Sequence, residues 1–91
     1  MLFVALAKVK GGTMEERITR RAQWQYPEGM RVMVEYWPMG GEYAVVCVAE
    51  ADSIAPIMAA IAPWDDVFDF TITPAVTAQE GLELAKQMMQ G

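Results

Sequence analysis

Residues 30–50 read MRVMVEYWPMGGEYAVVCVAE, two apolar runs joined by a turn, and this stretch decides the fold. Met30 to Trp37 alternates, with Val32, Val34 and Tyr36 on one side and Arg31, Met33, Glu35 and Trp37 on the other. That is the period of a strand with two different faces. Tyr43 to Glu50 is again apolar and β-branched, and Pro38 to Glu42 supplies the turn, so the two runs predict a hairpin.

Upstream, Leu2 to Val9 is apolar, too short for a good helix and followed by Lys10-Gly11-Gly12, which predicts another strand. Thr13 with Glu16 forms a capping-box pattern, and Met14, Ile18 and Ala22 recur every four residues, predicting a helix from Met14 to Gln25 that Tyr26-Pro27-Glu28-Gly29 ends. Downstream, Asp52 or Ser53 caps a second helix with Ile54, Ile57, Met58 and Ile61 as its buried stripe and Pro56 early enough to be tolerated; it ends near Ala62-Pro63. Val67 to Thr73 alternates as a fourth strand stopped by Pro74. Thr77 and Glu80 then open a terminal helix carrying Leu82, Leu84, Ala85, Met88 and Met89. This order predicts one α+β domain over residues 1–91, a ferredoxin-like βαββαβ antiparallel sheet with an extra C-terminal helix.

Composition narrows the chemistry. Ninety-one residues make one domain, and 54% apolar against 21% charged residues excludes disorder. Seven Lys and Arg against twelve Asp and Glu give a net charge of −5, which sets nucleic acid aside as a partner. No histidine is present, so the commonest metal ligand and general base are missing, and neither a metal nor any other cofactor is expected. The apolar runs are about a third of the roughly 20 residues that span a bilayer, and Lys8 and Lys10 follow the first run where a signal peptide would place charge before it. No membrane association is expected, and the cytoplasm is the expected location, with Cys47 reduced and inert within an apolar strand.

Two helices cover one face of a four-stranded sheet. Alternation assigns Val32, Val34, Tyr36, Phe68, Phe70 and Ile72 to that covered face. It leaves Val4, Leu6, Lys8, Arg31, Met33, Glu35, Trp37, Ala44, Val46, Val48, Glu50, Val67, Asp69 and Thr71 on the open one. A roughly 400 Å² face, apolar in the middle and charged at its ends, calls for a cover, and a second copy of the chain is the simplest. Lys8 and Asp69 fall on neighbouring strands near one end, and Arg31 faces Glu50 near the other. A small organic ligand between two such faces would meet Lys8, Arg31, Met33, Trp37, Glu50 and Asp69 as binding residues. Glu35, with Val46 opposite and no evident partner, is the candidate base of raised pKa, and Lys8 or Arg31 would stabilise a developing enolate.

The chain also resembles the dimeric α+β barrel superfamily, and within it a small family of unknown function. The residues that carry this are the Met1-Leu2-Phe3-Val4 opening, Pro27-Glu28-Gly29, Gly40-Gly41, Val48-Ala49-Glu50-Ala51-Asp52, Trp64-Asp65-Asp66, Asp69-Phe70 and Thr73-Pro74, covering most of residues 1–76. The resemblance implies a homodimer whose two sheets enclose a pocket. It implies no single activity, since that superfamily includes cofactor-free monooxygenases, haem-degrading enzymes, isomerases and ligand-binding regulatory domains. Two readings follow: binding of an aromatic or acyl ligand in the barrel, with or without cofactor-free proton transfer or oxygenation, and a structural or regulatory module docking a protein through Arg17, Arg20, Arg21 and Trp24.

Overall fold

The structure, a computed structural model, describes residues 1–90. Strands β1 (Leu2–Val9), β2 (Met30–Tyr36), β3 (Val45–Ala51) and β4 (Phe68–Ala75) alternate with helices α1 (Met14–Gln23) and α2 (Ala55–Ile61), and α3 (Ala78–Gln90) follows the last strand. All strand pairs are antiparallel in the order β2-β3-β1-β4, so β1 and β3 are central. This is the predicted α+β arrangement, a βαββαβ order with a C-terminal helix.

Local chemistry accounts for the boundaries. Thr13 accepts from the Glu16 amide while the Glu16 carboxylate accepts from the Thr13 amide, the reciprocal box that starts α1. The helix stops at Gln23, two residues before the predicted end, because Trp24 is already extended on the way to Pro27. In α2 Pro56 occupies the first turn, but the N-cap is Ile54, which has no side-chain cap bond, so neither Asp52 nor Ser53 caps this helix. Ser53 only accepts from the Ala55 amide at 3.3 Å, ahead of the first turn. Only Ile57 and Ala60 of that helix are buried; Ile54 and Met58 of the predicted stripe are exposed, since seven residues give barely two turns against the sheet. Thr77 caps α3 by accepting from the Glu80 amide at 3.0 Å. Gly12, Gly29 and Gly41 adopt positive φ, and a side chain at Gly29 would in addition crowd Pro56.

The core between sheet and helices is in two parts. Phe3, Ala49, Ala51 and Ile57 form one; Ala7, Trp64, Val67 and Phe68 form the other. Val67 therefore lies in the core and not on the open face, because the strand starts one residue later than the alternation implied and Val67 closes the turn from Trp64. Ala44 likewise packs on the second cluster.

One irregularity reorganises the site. The β2–β3 register slips between Val32 and Val34, so that Arg31 faces Glu50 and Val32 faces Ala49, but Val34 faces Val48, Glu35 faces Cys47 and Tyr36 faces Val46. Met33 opposes no residue of β3. A bulge of one residue reverses the inside and outside of everything after it. Val34 and Tyr36, expected under the helices, are on the open face, and Glu35, expected on the open face opposite Val46, points inward beside Cys47.

No residue of α1 or α3 is buried. In α3 Leu82, Ala85, Met88 and Met89 share a stripe with Gly81, and all four of these side chains are exposed. No helix is long and apolar enough to cross a membrane.

Candidate functional site

Between α1 and the inner face of the sheet lies a cavity of about 460 Å³. Its size follows from residue volume. Ala5, Ala7, Cys47 and Ala49 are all small, and together they form its floor on the two central strands. Trp24, Trp64, Phe68 and Phe70 close one flank, with Trp24 edge-on to Trp64 at 5.9 Å and Phe68 edge-on to Phe70 at 5.8 Å. Helix α1 contributes Met14, Arg17, Ile18 and Arg21, which share one face by three-and-four spacing. Met14, Ile18, Trp37 and Met39 line the cavity yet are exposed, which marks where it opens.

The polar wall is built around Glu35. Its carboxylate accepts from Arg21 Nη2 at 3.1 Å, from Trp37 Nε1 at 2.7 Å and from the Tyr26 hydroxyl. The Arg21 guanidinium in turn lies 5.3 Å from the Tyr26 ring centre and 5.7 Å from that of Trp24. Burial alone would raise the Glu35 pKa; the bonds from Arg21, Tyr26 and Trp37 outweigh it and hold the carboxyl below its ordinary value. Burial, reinforced by the Glu35 bond, pushes the Tyr26 phenol far above its ordinary range, so it stays a neutral donor. Burial, with the Glu35 charge nearby, also raises the Cys47 thiol, which disfavours the thiolate and fits a structural role.

The expectation for Glu35 is thus corrected on three counts: its face, its partners and the direction of its pKa. Of the seven predicted site residues, only Glu35 and Trp37 reach the cavity. Trp37 lies just past the end of β2 and has no register partner in β3. Lys8, Arg31, Glu50 and Asp69 are on the opposite face, with the sheet between them and Glu35. Arg31 bonds Glu50 at 3.3 Å as the spacing implied. Lys8 does sit across from Asp69, but it bonds Glu42 at 2.5 Å while Asp69 approaches Lys10 at 3.6 Å. Met33 sits at the bulge. A mechanism joining Glu35 to Lys8 or Arg31 has no geometry to support it.

The arginines of α1, expected as part of a docking surface, each make hydrogen bonds to other parts of the chain. Arg20 makes a two-pronged pair with Asp66 at 2.8 and 3.0 Å. Arg17 donates to the carbonyls of Gly11 and Gly12, and Arg21 holds Glu35. All three make hydrogen bonds within the chain, Arg20 and Arg21 to carboxylates and Arg17 to backbone carbonyls alone. Reasoning from sequence did not find Arg17, Arg21 or Tyr26 as cavity residues; the run of alanines on the covered face was the one available sign of spare volume.

These features define a small α+β domain with an apolar cavity and one satisfied charge cluster in its wall. The chain belongs to the family described as Domain of unknown function (DUF3303), which it matches over residues 1–89. Neither the curated proteins nor the solved structures contain a match.

Proposed function

We propose that this domain binds a small, largely apolar organic molecule in the cavity between α1 and the sheet. The observation that carries the reading is the cavity itself: about 460 Å³, walled by tryptophans, phenylalanines and small aliphatic residues, with a few convergent polar groups. Binding is favoured over catalysis because Glu35 is already bonded to three donors and its pKa is lowered, the reverse of what a general base needs.

Ala5 tests this directly. It lies between Cys47 and Ile72 in the sheet, at the cavity floor. The wild-type chain should bind the neutral apolar dye N-phenyl-1-naphthylamine saturably. Ala5→Phe should keep its far-UV circular dichroism, lose about 1–3 kcal/mol to overpacking, and no longer bind the dye. A folded Ala5→Phe protein that binds the dye as well as wild type would place binding elsewhere.

The same reading includes a homodimer through the open sheet face. Val4, Leu6, Val34, Val46 and Val48 make that face apolar at its centre, with the Arg31–Glu50 and Lys8–Glu42 pairs at its margins. The sheet supplies roughly 400 Å², about half of what one partner contributes to a standard interface, and the unpartnered stripe of α3 is available to supply the rest. Val46→Asp should turn a dimer into a folded monomer by sedimentation velocity, since the new carboxylate would be buried without a partner. Wild-type protein that sediments as a 10.1 kDa monomer at micromolar concentration would remove the dimer from the proposal.

A further inference from the structure

The charges on the cavity wall do not cancel. Arg17 and Arg21 line it from α1, and Glu35 is the only carboxylate among its lining residues, so two cations stand against one anion within a chain of net charge −5. Arg21 and Glu35 neutralise each other at 3.1 Å. Arg17 is different. Its Nη1 donates to Gly11 O at 2.7 Å and to Gly12 O at 2.9 Å, which fixes the side chain against the β1–α1 turn. No carboxylate approaches it within 4 Å among the described residues. The Nε and Nη2 edge of a residue on the cavity wall therefore has no protein acceptor among the described residues.

We infer that the ligand is an anionic amphiphile, a monocarboxylate whose apolar body fills the cavity and whose carboxylate pairs with the free edge of Arg17. This rests on the proposal that the cavity is a binding site and adds the chemical class of its occupant. A planar guanidinium edge presents two parallel donors that match the two oxygens of a carboxylate. One uncompensated positive charge balances one carboxylate, whereas a dianionic phosphate would leave excess negative charge beside Glu35. An alkylammonium ligand would meet Arg17 as a like charge. The alanines of the floor and the aromatic flank offer the remainder of the ligand no polar partner.

The experiment uses three probes with one apolar body and different heads: octanoate, 1-octanol and octylamine, titrated at pH 7 into the full chain. Tryptophan fluorescence reports binding, because Trp24, Trp37 and Trp64 all line the cavity. Octanoate should bind about tenfold or more tightly than octanol, the ratio expected for a charge-assisted hydrogen bond, and octylamine most weakly. Arg17→Gln should bring octanoate down to the affinity of octanol while leaving octanol unchanged. Arg17→Lys, which keeps the charge and loses the fork, should retain only part of the preference. Equal binding of octanoate and octanol by wild type, a test that does not depend on any variant folding, would overturn the carboxylate assignment and leave the cavity proposal standing. A preference that survives Arg17→Gln would overturn the role of Arg17. Failure of all three probes and of the neutral dye would overturn both.

Discussion

Trp64→Ala is expected to lower stability by about 3–5 kcal/mol, against a total of about 5–13 kcal/mol for a chain of this length. Trp64 is only 6% exposed and is the largest side chain of its core cluster, where it meets Ala7, Val67 and Phe68. Its ring also stands edge-on to Trp24 and 5.3 Å beneath the Arg20 guanidinium. Truncation removes the transfer free energy of an indole, two aromatic contacts and a cation–π contact, and the neighbouring cavity prevents the site from collapsing to fill the gap. Thermal unfolding should show a midpoint lower by about 20 °C or more. A loss below about 1 kcal/mol would mean that the ring is not part of the core.

The second large effect is expected at Glu35. Glu35→Ala should cost about 2–3 kcal/mol at pH 7, because the side chain is only 15% exposed and its removal leaves Arg21, Tyr26 and Trp37 without their shared acceptor. The pH dependence has a definite sign. A carboxyl whose pKa is lower folded than unfolded contributes stability above the ordinary value of 4.5, and that contribution is lost as pH falls through the folded value. Glu35→Gln keeps the shape without the titration. Urea midpoints of wild type and Glu35→Gln should therefore differ at pH 7 and converge toward pH 3. A gap that stays constant over this interval would show that the carboxylate charge contributes nothing to the folded state.

The sequence carried the elements because their signals are local. A Thr13–Glu16 box, a proline after α1, alternation in four runs and a Thr77–Glu80 cap are each readable within a few residues, and together they leave one topology. The site was not readable in the same way. Alternation through β2 assumed an unbroken period, and nothing in Arg31-Val32-Met33-Val34, with neither Gly nor Pro, announces an extra residue. Hydrophobic patterning also registers polarity and not volume. Ala5, Ala7 and Ala49 are apolar like the residues around them, and it is their small size that opens the cavity. The partnerships that hold the wall, Arg21 with Glu35 and Arg20 with Asp66, join residues 14 and 46 positions apart. Helical spacing identified the arginines as a cluster but could not supply carboxylates from elsewhere in the chain.

The bulge at Met33 has an evolutionary corollary. Because strand faces alternate residue by residue, the number of residues in β2 acts as a reading frame for the protein surface. A single deletion there would turn Tyr36 into the cavity and Glu35 out to the bare sheet. Drift by substitution can adjust the shape of this cavity gradually, whereas a one-residue insertion or deletion in β2 would exchange the chemistry of both faces in a single event. A chain one residue shorter or longer at this point would thus have a different interior, even with every neighbouring residue the same.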